Sequence, residues 1–200
     1  MHDSPATRAS LLVRLRDGGD AGAWEEFVHL YAPVIYGFAR KRGLQDADAA
    51  DLMQEVLRSV AAAAQRLEYD PARGTFRGWL FTVTRNKVFN FLQGRRRRVL
   101  ASGDSGVRDQ LEQHAGSDGH APGEWEADYQ RTLAARAMER IRGEFQPATW
   151  QAFQLTAVEG AAPAEASARA GLSVGAVYVA KSRVIARLRQ EIEAMQGEES

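Results

Sequence analysis

Residues 76–98 read FRGWLFTVTRNKVFNFLQGRRRR. Between Pro71 and Gly103 there is no Asp or Glu, while Arg73, Arg77, Arg85, Lys87 and Arg95, Arg96, Arg97 and Arg98 alternate with Phe76, Trp79, Phe81, Phe89 and Phe91. Cations neutralise phosphates and release counterions, and aromatic faces stack on unpaired bases, so this composition points to nucleic acid. Projected at 100 degrees per residue, Phe76, Leu80, Val83 and Phe91 fall on one side of a helix, with Phe81, Val88 and Leu92 on another, and both sets are expected in a core. Trp79 falls instead with Thr82, Asn86, Asn90 and Gln93 on a polar stripe. Two readings fit Trp79: stacking on a base removed from its duplex, or packing against a neighbouring helix. The Arg95 to Arg98 run either closes the helix electrostatically or meets phosphates.

Working outward, the same helical spacing of apolar residues recurs through most of the chain, with no sustained two-residue alternation, so the expected fold is all-α. One pattern spans Ser10 to Leu15. After the break at Asp17-Gly18-Gly19-Asp20, another carries Trp24, Phe27, Leu30, Tyr31, Ile35 and Phe38 and ends near Arg42-Gly43. Asp46 is the expected N-cap of a third helix, whose buried stripe is Leu52, Met53, Val56, Leu57 and Val60. On its opposite face Asp48, Asp51 and Glu55 stand at i, i+3 and i+7, an acidic surface open to three uses: a basic protein partner, a divalent ion, or solvation. Tyr69-Asp70-Pro71 with Gly74 marks a loop. Downstream, Val99 to Gly123 is rich in Ser, Gly, Asp and His and reads as a linker.

Periodicity resumes at Trp125 and Tyr129, runs through Leu133, Met138 and Ile141, and breaks at Gln146-Pro147. A helix over Ala148 to Val158 stops at Glu159-Gly160. Pro163 to Ala170 and Val174 to about Met195 then form a pair separated by Gly171-Leu172-Ser173. Pro163 suits a first helical turn, Gly171 a left-handed terminator and Ser173 a cap, the pattern of a helix-turn-helix. On its second helix Val174, Val177, Val184, Ile185 and Leu188 are expected in the core. Tyr178, Lys181, Ser182, Arg183 and Arg187 are expected to face outward, towards base edges or phosphates.

The whole-chain balance conceals these blocks: 200 residues carry 26 basic and 26 acidic side chains, a formal net charge of zero. The absence of cysteine excludes disulfides and thiolate chemistry. The segment Met1 to Ser10 lacks the apolar stretch of a signal peptide and no run approaches a membrane span, so a cytoplasmic protein without membrane insertion is expected. His2, His29, His114 and His120 are scattered and stand in no catalytic order, and no phosphate-cradling glycine loop occurs. No enzyme activity, cofactor or metal is expected.

An acidic helix, a basic aromatic helix, a polar linker and a helix-turn-helix, in that order, resemble the bacterial extracytoplasmic-function sigma factors of the sigma-70 family. Asp48-Ala-Ala-Asp51-Leu52-Met53-Gln54-Glu55-Val56 is similar to the family's region 2.2, and Phe76-Arg77-Gly78-Trp79-Leu80-Phe81-Thr82-Val83-Thr84-Arg85-Asn86 to its regions 2.3 and 2.4. The resemblance implies two small helical domains, 10–98 and 125–195, joined by a flexible linker over 99–124. It implies that Asp48, Asp51, Leu52, Gln54 and Glu55 dock on the β′ coiled coil of core RNA polymerase. It implies that Tyr69, Arg73, Arg77, Trp79, Asn86, Lys87, Asn90 and Arg95 to Arg98 meet the melted minus-10 element of promoter DNA. Ser173, Tyr178, Lys181, Ser182, Arg183 and Arg187 would meet the minus-35 duplex. The polymerase β flap and an anti-sigma protein are further implied partners. Two departures stand out. Tyr178-Val179-Ala180 follows Val174-Gly175-Ala176-Val177 where basic and serine residues are common, and Gly160-Ala-Ala-Pro163 lacks the usual polar residues. The alternatives weighed are a stand-alone helix-turn-helix regulator and a metal-dependent nuclease using Asp48, Asp51 and Glu55.

Overall fold

A computed structural model describes residues 11–17, 19–64, 75–102 and 121–197. Among them the regular structure is entirely helical, as the three- and four-residue spacing requires, in eight α-helices. These are α1 (Leu11–Arg16), α2 (Ala21–Lys41), α3 (Asp46–Ala64), α4 (Phe76–Ser102), α5 (Ala121–Ile141), α6 (Pro147–Phe153), α7 (Pro163–Ala170) and α8 (Val174–Gly197). A single 3-10 turn, Arg142–Glu144, follows α5, and a π turn, Gln154–Val158, extends α6.

Local chemistry sets the helix ends. The Asp20 carboxylate accepts from Ala23 N at 2.8 Å, capping α2, and also accepts from Arg14 Nε at 2.9 Å, which ties α1 to that cap. At the other end of α2, Gly43 adopts φ +83°, and the N–H groups of Gly43 and Leu44 donate to the carbonyls of Arg40 and Ala39 at 3.0 and 3.3 Å. This pair of bonds satisfies carbonyls that a helix end leaves orphaned. Asp46 is not the cap expected of it. It is the first residue of α3, and its carboxylate accepts from Tyr36 Oη at 3.0 Å and pairs with Arg40 Nε at 2.8 Å. Thr75 caps α4, its hydroxyl accepting from Gly78 N at 3.2 Å.

The chain divides into two compact units, Met1–Thr132 and Leu133–Ser200, and the division falls inside α5. In the first, α2 packs on α3 and α3 on α4. The core is Phe27, Leu30, Tyr31, Val34, Ile35 and Phe38 of α2, the Leu52, Val56 and Val60 stripe of α3, and Phe76, Leu80 and Val88 of α4. Trp125 and Tyr129, from the start of α5, belong to this core. Trp125 meets Phe38 and Phe81 at ring-centroid distances of 5.6 and 5.7 Å, and Tyr129 stacks on Tyr31 at 5.7 Å. Lys41 and Asp128 pair at 2.7 Å, and Arg42 and Glu124 at 3.4 Å, beside those rings. Residues 125–132, assigned from sequence to the second domain, therefore finish the hydrophobic core of the first. Periodicity marks which side of α5 is apolar, but not which helix covers it.

The second unit has a core of Ile141, Trp150, Phe153 and Val184, with Met138, Phe145, Ile185 and Leu188 packed against it. A second cluster is built of small side chains, Ala152, Ala166, Ala170 and Ala180, with Leu155 and Val177. Short side chains let α6, α7 and α8 approach closely. The π turn closes with Glu159 N donating to Gln154 O at 3.0 Å, and Gly160 follows at φ +73°. The sequence reads 148–158 as one plain helix, because a π turn has no compositional signature and is set by packing.

Candidate nucleic-acid interface

On α3, Asp51, Gln54 and Glu55 are exposed and Asp48 is half-buried, so the carboxylates spaced along one face do stand on the surface. Leu52 does not join them. It is 4% exposed and belongs to the core stripe, as its periodicity predicts, which corrects its placement by the resemblance among the docking contacts: at i+1 from Asp51 it is turned 100 degrees away. Glu55 lies 3.6 Å from Lys87 Nζ of α4, so one acid of this face faces a cation expected to contact nucleic acid. The remaining acids leave the face negative. The described residues contain no cluster of three or more His, Cys, Asp or Glu able to hold a metal ion. Hydrogen bonding to the Asp46 carboxylate raises the Tyr36 phenol above its ordinary pKa, because ionising it would set two anions side by side.

On α4 the polar stripe is exposed as projected: Thr82, Asn86, Asn90 and Gln93 face solvent. Trp79 is half-buried at their edge, with its ring centroid 5.5 Å from that of Phe76. Trp79 thus packs along one side, as the second reading has it, and leaves part of its ring exposed. Part of the aromatic richness of this helix is structural, as the projection of Phe76 and Phe81 onto core faces expects. Phe76 is buried against Phe27 and Tyr31 at 6.0 Å from each, and Phe81 meets Phe38 and Trp125, so these rings belong to the protein's interior. Val83, Phe81, Phe91 and Leu92, all expected in the core, are only half-buried, while Thr84 is fully buried and donates to Leu80 O at 2.9 Å. The helix carries more apolar residues than its neighbours can cover. Phe89 is left 56% exposed, an outward aromatic that the projection did not place.

The cations of α4 divide in the same way. Arg77 lies over the Tyr129 ring, 4.5 Å from its centroid. Burial disfavours its charge, but hydrogen bonding and charge attraction to Tyr129 outweigh that and hold the guanidinium above its ordinary pKa. Arg77 is thus an interior partner of α5 as well as a candidate contact. Arg95 is half-buried, and Arg96 and Arg97 are exposed at the far end of the helix. Tyr69, Arg73 and the side chain of Arg98 lie outside the described residues, as does 103–120 of the expected linker.

In the second unit, Gly171 takes the left-handed conformation, φ +66° and ψ +30°, and Leu172 N donates to Ser167 O at 3.2 Å. Ser173 Oγ then accepts from Ala176 N at 3.2 Å and caps α8. The helix-turn-helix expected from Pro163, Gly171 and Ser173 is present. Its second helix differs in detail. Val174, expected in the core, is 43% exposed, and Ala180, the last residue of the departure Tyr178-Val179-Ala180, is buried. Alanine is short enough to sit where α7 and α8 cross. Ser182 and Arg183 face solvent, and Tyr178 and Val179 are each 57% exposed. Lys181 is half-buried and donates to Thr156 O at 3.4 Å. Arg187 is held by Glu144 through two bonds of 2.7 Å and by Glu191 at 3.1 Å, and the Glu144 hydrogen bonds raise its pKa. That geometry makes Arg187 a brace inside the unit; sequence spacing showed it as an outward cation because Glu144 lies 43 residues away.

Two faces of the first unit and one of the second therefore carry the chemistry of macromolecular recognition. A family model described as Sigma-70 region 2 matches residues 27–98, which span α3 and most of α4. The chain is 29% identical to the RNA polymerase sigma factor CnrH of Cupriavidus metallidurans over 191 residues, 96% of this chain and 97% of the relative. It is 31% identical to the ECF RNA polymerase sigma factor RpoE of Cereibacter sphaeroides over 84 residues, 42% of this chain and 45% of the relative. It is 35% identical to the ECF RNA polymerase sigma factor SigE of Mycolicibacterium smegmatis over 82 residues, 40% and 30% of the two chains. A solved structure of CnrH in complex with the cytosolic domain of CnrY covers 92% of this chain and 96% of its own at 24% identity, with a TM-score of 0.34.

Proposed function

The chain belongs to the extracytoplasmic-function sigma factors, and from that premise we propose that it binds core RNA polymerase and directs initiation at promoters bearing particular minus-10 and minus-35 elements. The observation that carries this reading is the segregation of charge in the first unit. The outward face of α3 presents Asp48, Asp51 and Glu55, whereas α4 has no acidic residue and presents Asn86, Asn90, Arg96 and Arg97. One face suits a basic protein surface and the other suits DNA, so a single small unit serves two partners of opposite charge.

In this reading Asp48, Asp51, Gln54 and Glu55 hold the polymerase β′ coiled coil. Trp79, Asn86, Lys87 and Asn90 meet the minus-10 strand, with Arg95 to Arg98, Tyr69 and Arg73 as further contacts. Unstacked bases captured on α4 favour the open duplex by differential binding, so strand opening requires no nucleotide hydrolysis. The amino-terminal turns of α8 enter the minus-35 major groove with Ser173, Tyr178, Lys181, Ser182 and Arg183. Carrying both readers on one chain raises their joint affinity by effective concentration, once polymerase holds the chain in place. The polymerase supplies the bond-making step and this chain supplies none. An anti-sigma protein that covers these faces belongs to the same proposal.

The test is reconstitution of the full chain with bacterial core polymerase, followed by sequencing of transcripts initiated on genomic DNA. Defined start sites absent from core enzyme alone are expected. A chain that neither associates with core polymerase nor changes its start sites refutes the proposal. Specific binding of duplex by the free protein, with no effect on polymerase, would favour a stand-alone regulator instead.

A further inference from the structure

The outward face of α8 is built from two adjacent i, i+4 rows, Val174–Tyr178–Ser182 and Gly175–Val179–Arg183. Polar groups come last in each row. The first two turns, the part of a second helix that goes deepest into a major groove, present Val174, Tyr178 and Val179 at 43%, 57% and 57% exposure, with Gly175 between them. No carboxylate, amide or cation stands among these four. A surface of this kind cannot form the bidentate hydrogen bonds by which guanine or adenine edges are ordinarily read.

The major groove offers one feature that apolar side chains do recognise, the C5 methyl of thymine. Resting on the family function stated above, we propose that Val174, Tyr178 and Val179 select the upstream promoter element by packing on thymine methyl groups. The same face favours A·T over G·C pairs through that methyl alone, since the two kinds of pair bury equal numbers of donors and acceptors against Val174 and Val179 and only thymine returns an apolar contact. Ser182 and Arg183, one turn further along, are left to meet a base edge or the phosphates at the rim.

Gly175 supports a close approach at this spot. A Cβ built there meets no heavy atom within 4 Å, so nothing inside the protein requires glycine. Its φ is not positive, and glycine in a helix is destabilising relative to alanine. The need for a missing side chain lies outside the chain, where a base pair can come nearer to the helix backbone than a methyl would permit.

The experiment uses the full chain assembled with bacterial core polymerase. Promoter duplexes with a randomised upstream segment are selected by binding, and the winning segment is resynthesised with deoxyuridine for thymidine in that segment alone. Uracil keeps every hydrogen-bonding group of thymine and lacks only the methyl. The selected segment is expected to be rich in A·T pairs, and uracil should weaken binding about fourfold per contacted methyl, the equivalent of about 0.8 kcal/mol. The Tyr178→Ala, Val179→Ala double variant, which keeps only Val174 of the three, should show a smaller thymine-over-uracil preference than the unmodified chain while still associating with polymerase. Gly175→Ala should keep or raise its melting temperature and keep its polymerase association, yet lose affinity for the upstream segment.

Equal binding of thymine and uracil probes by the unmodified chain overturns the proposal. So does a double variant that associates with polymerase and keeps the full thymine preference, or one that loses polymerase association, which would make this face a protein-docking surface. A Gly175→Ala chain with full affinity overturns the close approach. If the chain fails to associate with core polymerase or selects no segment, the family function fails first. If it associates and selects but ignores the methyl, only the present inference fails.

Discussion

Tyr129→Ala tests the placement of the start of α5 in the core of the first unit. Tyr129 is fully buried, stacked on Tyr31 at 5.7 Å, and covered by the Arg77 guanidinium 4.5 Å from its centroid. Truncating a buried aromatic ring to alanine costs about 3–5 kcal/mol. The lost ring pair accounts for about 0.5–1.5 kcal/mol and the cation over the ring for about 0.5–1 kcal/mol, and these overlap with the burial term. A loss of about 4 kcal/mol is expected, a large share of the roughly 5–15 kcal/mol that holds a domain folded. Amide hydrogen exchange followed by mass spectrometry reads this loss unit by unit. The slowest amides of α2, α3 and α4 should lose protection about a thousandfold, at a factor of ten for each 1.4 kcal/mol. The amides of α6, α7 and α8 should be unchanged. Tyr129→Phe keeps the ring and should cost at most about 1.5 kcal/mol. Loss of protection by less than about tenfold in α2 to α4, or loss concentrated in α6 to α8, would refute the placement of Tyr129 in the first core.

Three further outcomes follow from the same geometry. Replacing Asp51 and Glu55 together by lysine should abolish co-purification with core polymerase while leaving helicity within experimental error, since both are exposed; unchanged association would reject α3 as the docking face. Trp79→Ala should impair promoter opening, measured by permanganate reactivity of unpaired thymines, more than duplex binding, whereas equal losses would assign Trp79 wholly to its packing on Phe76. The Asp20 carboxylate is held below the usual carboxylate range by its hydrogen bond from Arg14, then by that from Ala23 N. Its contribution to stability is therefore present above the unfolded carboxylate value of about 3.9 and disappears as pH falls through its lower folded value. Asp20→Asn should accordingly lower stability at neutral pH and flatten the acid limb of the stability curve, and an identical acid limb would dismiss the Arg14–Asp20 link.

Much of the helical plan was legible in the chain, because its signals are local. The apolar stripe of α3 recurs at helical spacing, and a glycine is needed where φ turns positive, at Gly43, Gly160 and Gly171. A serine oxygen three residues before Ala176 N caps α8 through neighbouring atoms alone. The acidic face of α3 follows from 100 degrees per residue, and the family resemblance rests on motifs contiguous in sequence.

Apart from the Asp46 cap, the main errors concern which surface covers which. Leu52 lies in the buried stripe that periodicity gives it, away from the docking face the resemblance implied, and Arg187 looks free until Glu144 arrives from 43 residues away. Phe76 and Phe81 project onto core faces, but that the rings covering them come from α2 and α5 is settled only by packing. Val174, expected in the core, stands 43% exposed, and Ala180 fills the place where α7 and α8 cross and a small side chain fits. Periodicity along one strand of chain specifies the direction in which each side chain leaves its own helix. Whether that direction meets solvent, a ring or an opposite charge depends on residues far away in sequence. Only the tertiary packing of those helices decided, therefore, that α5 begins in the core of the first unit and that α8 turns an apolar face outward.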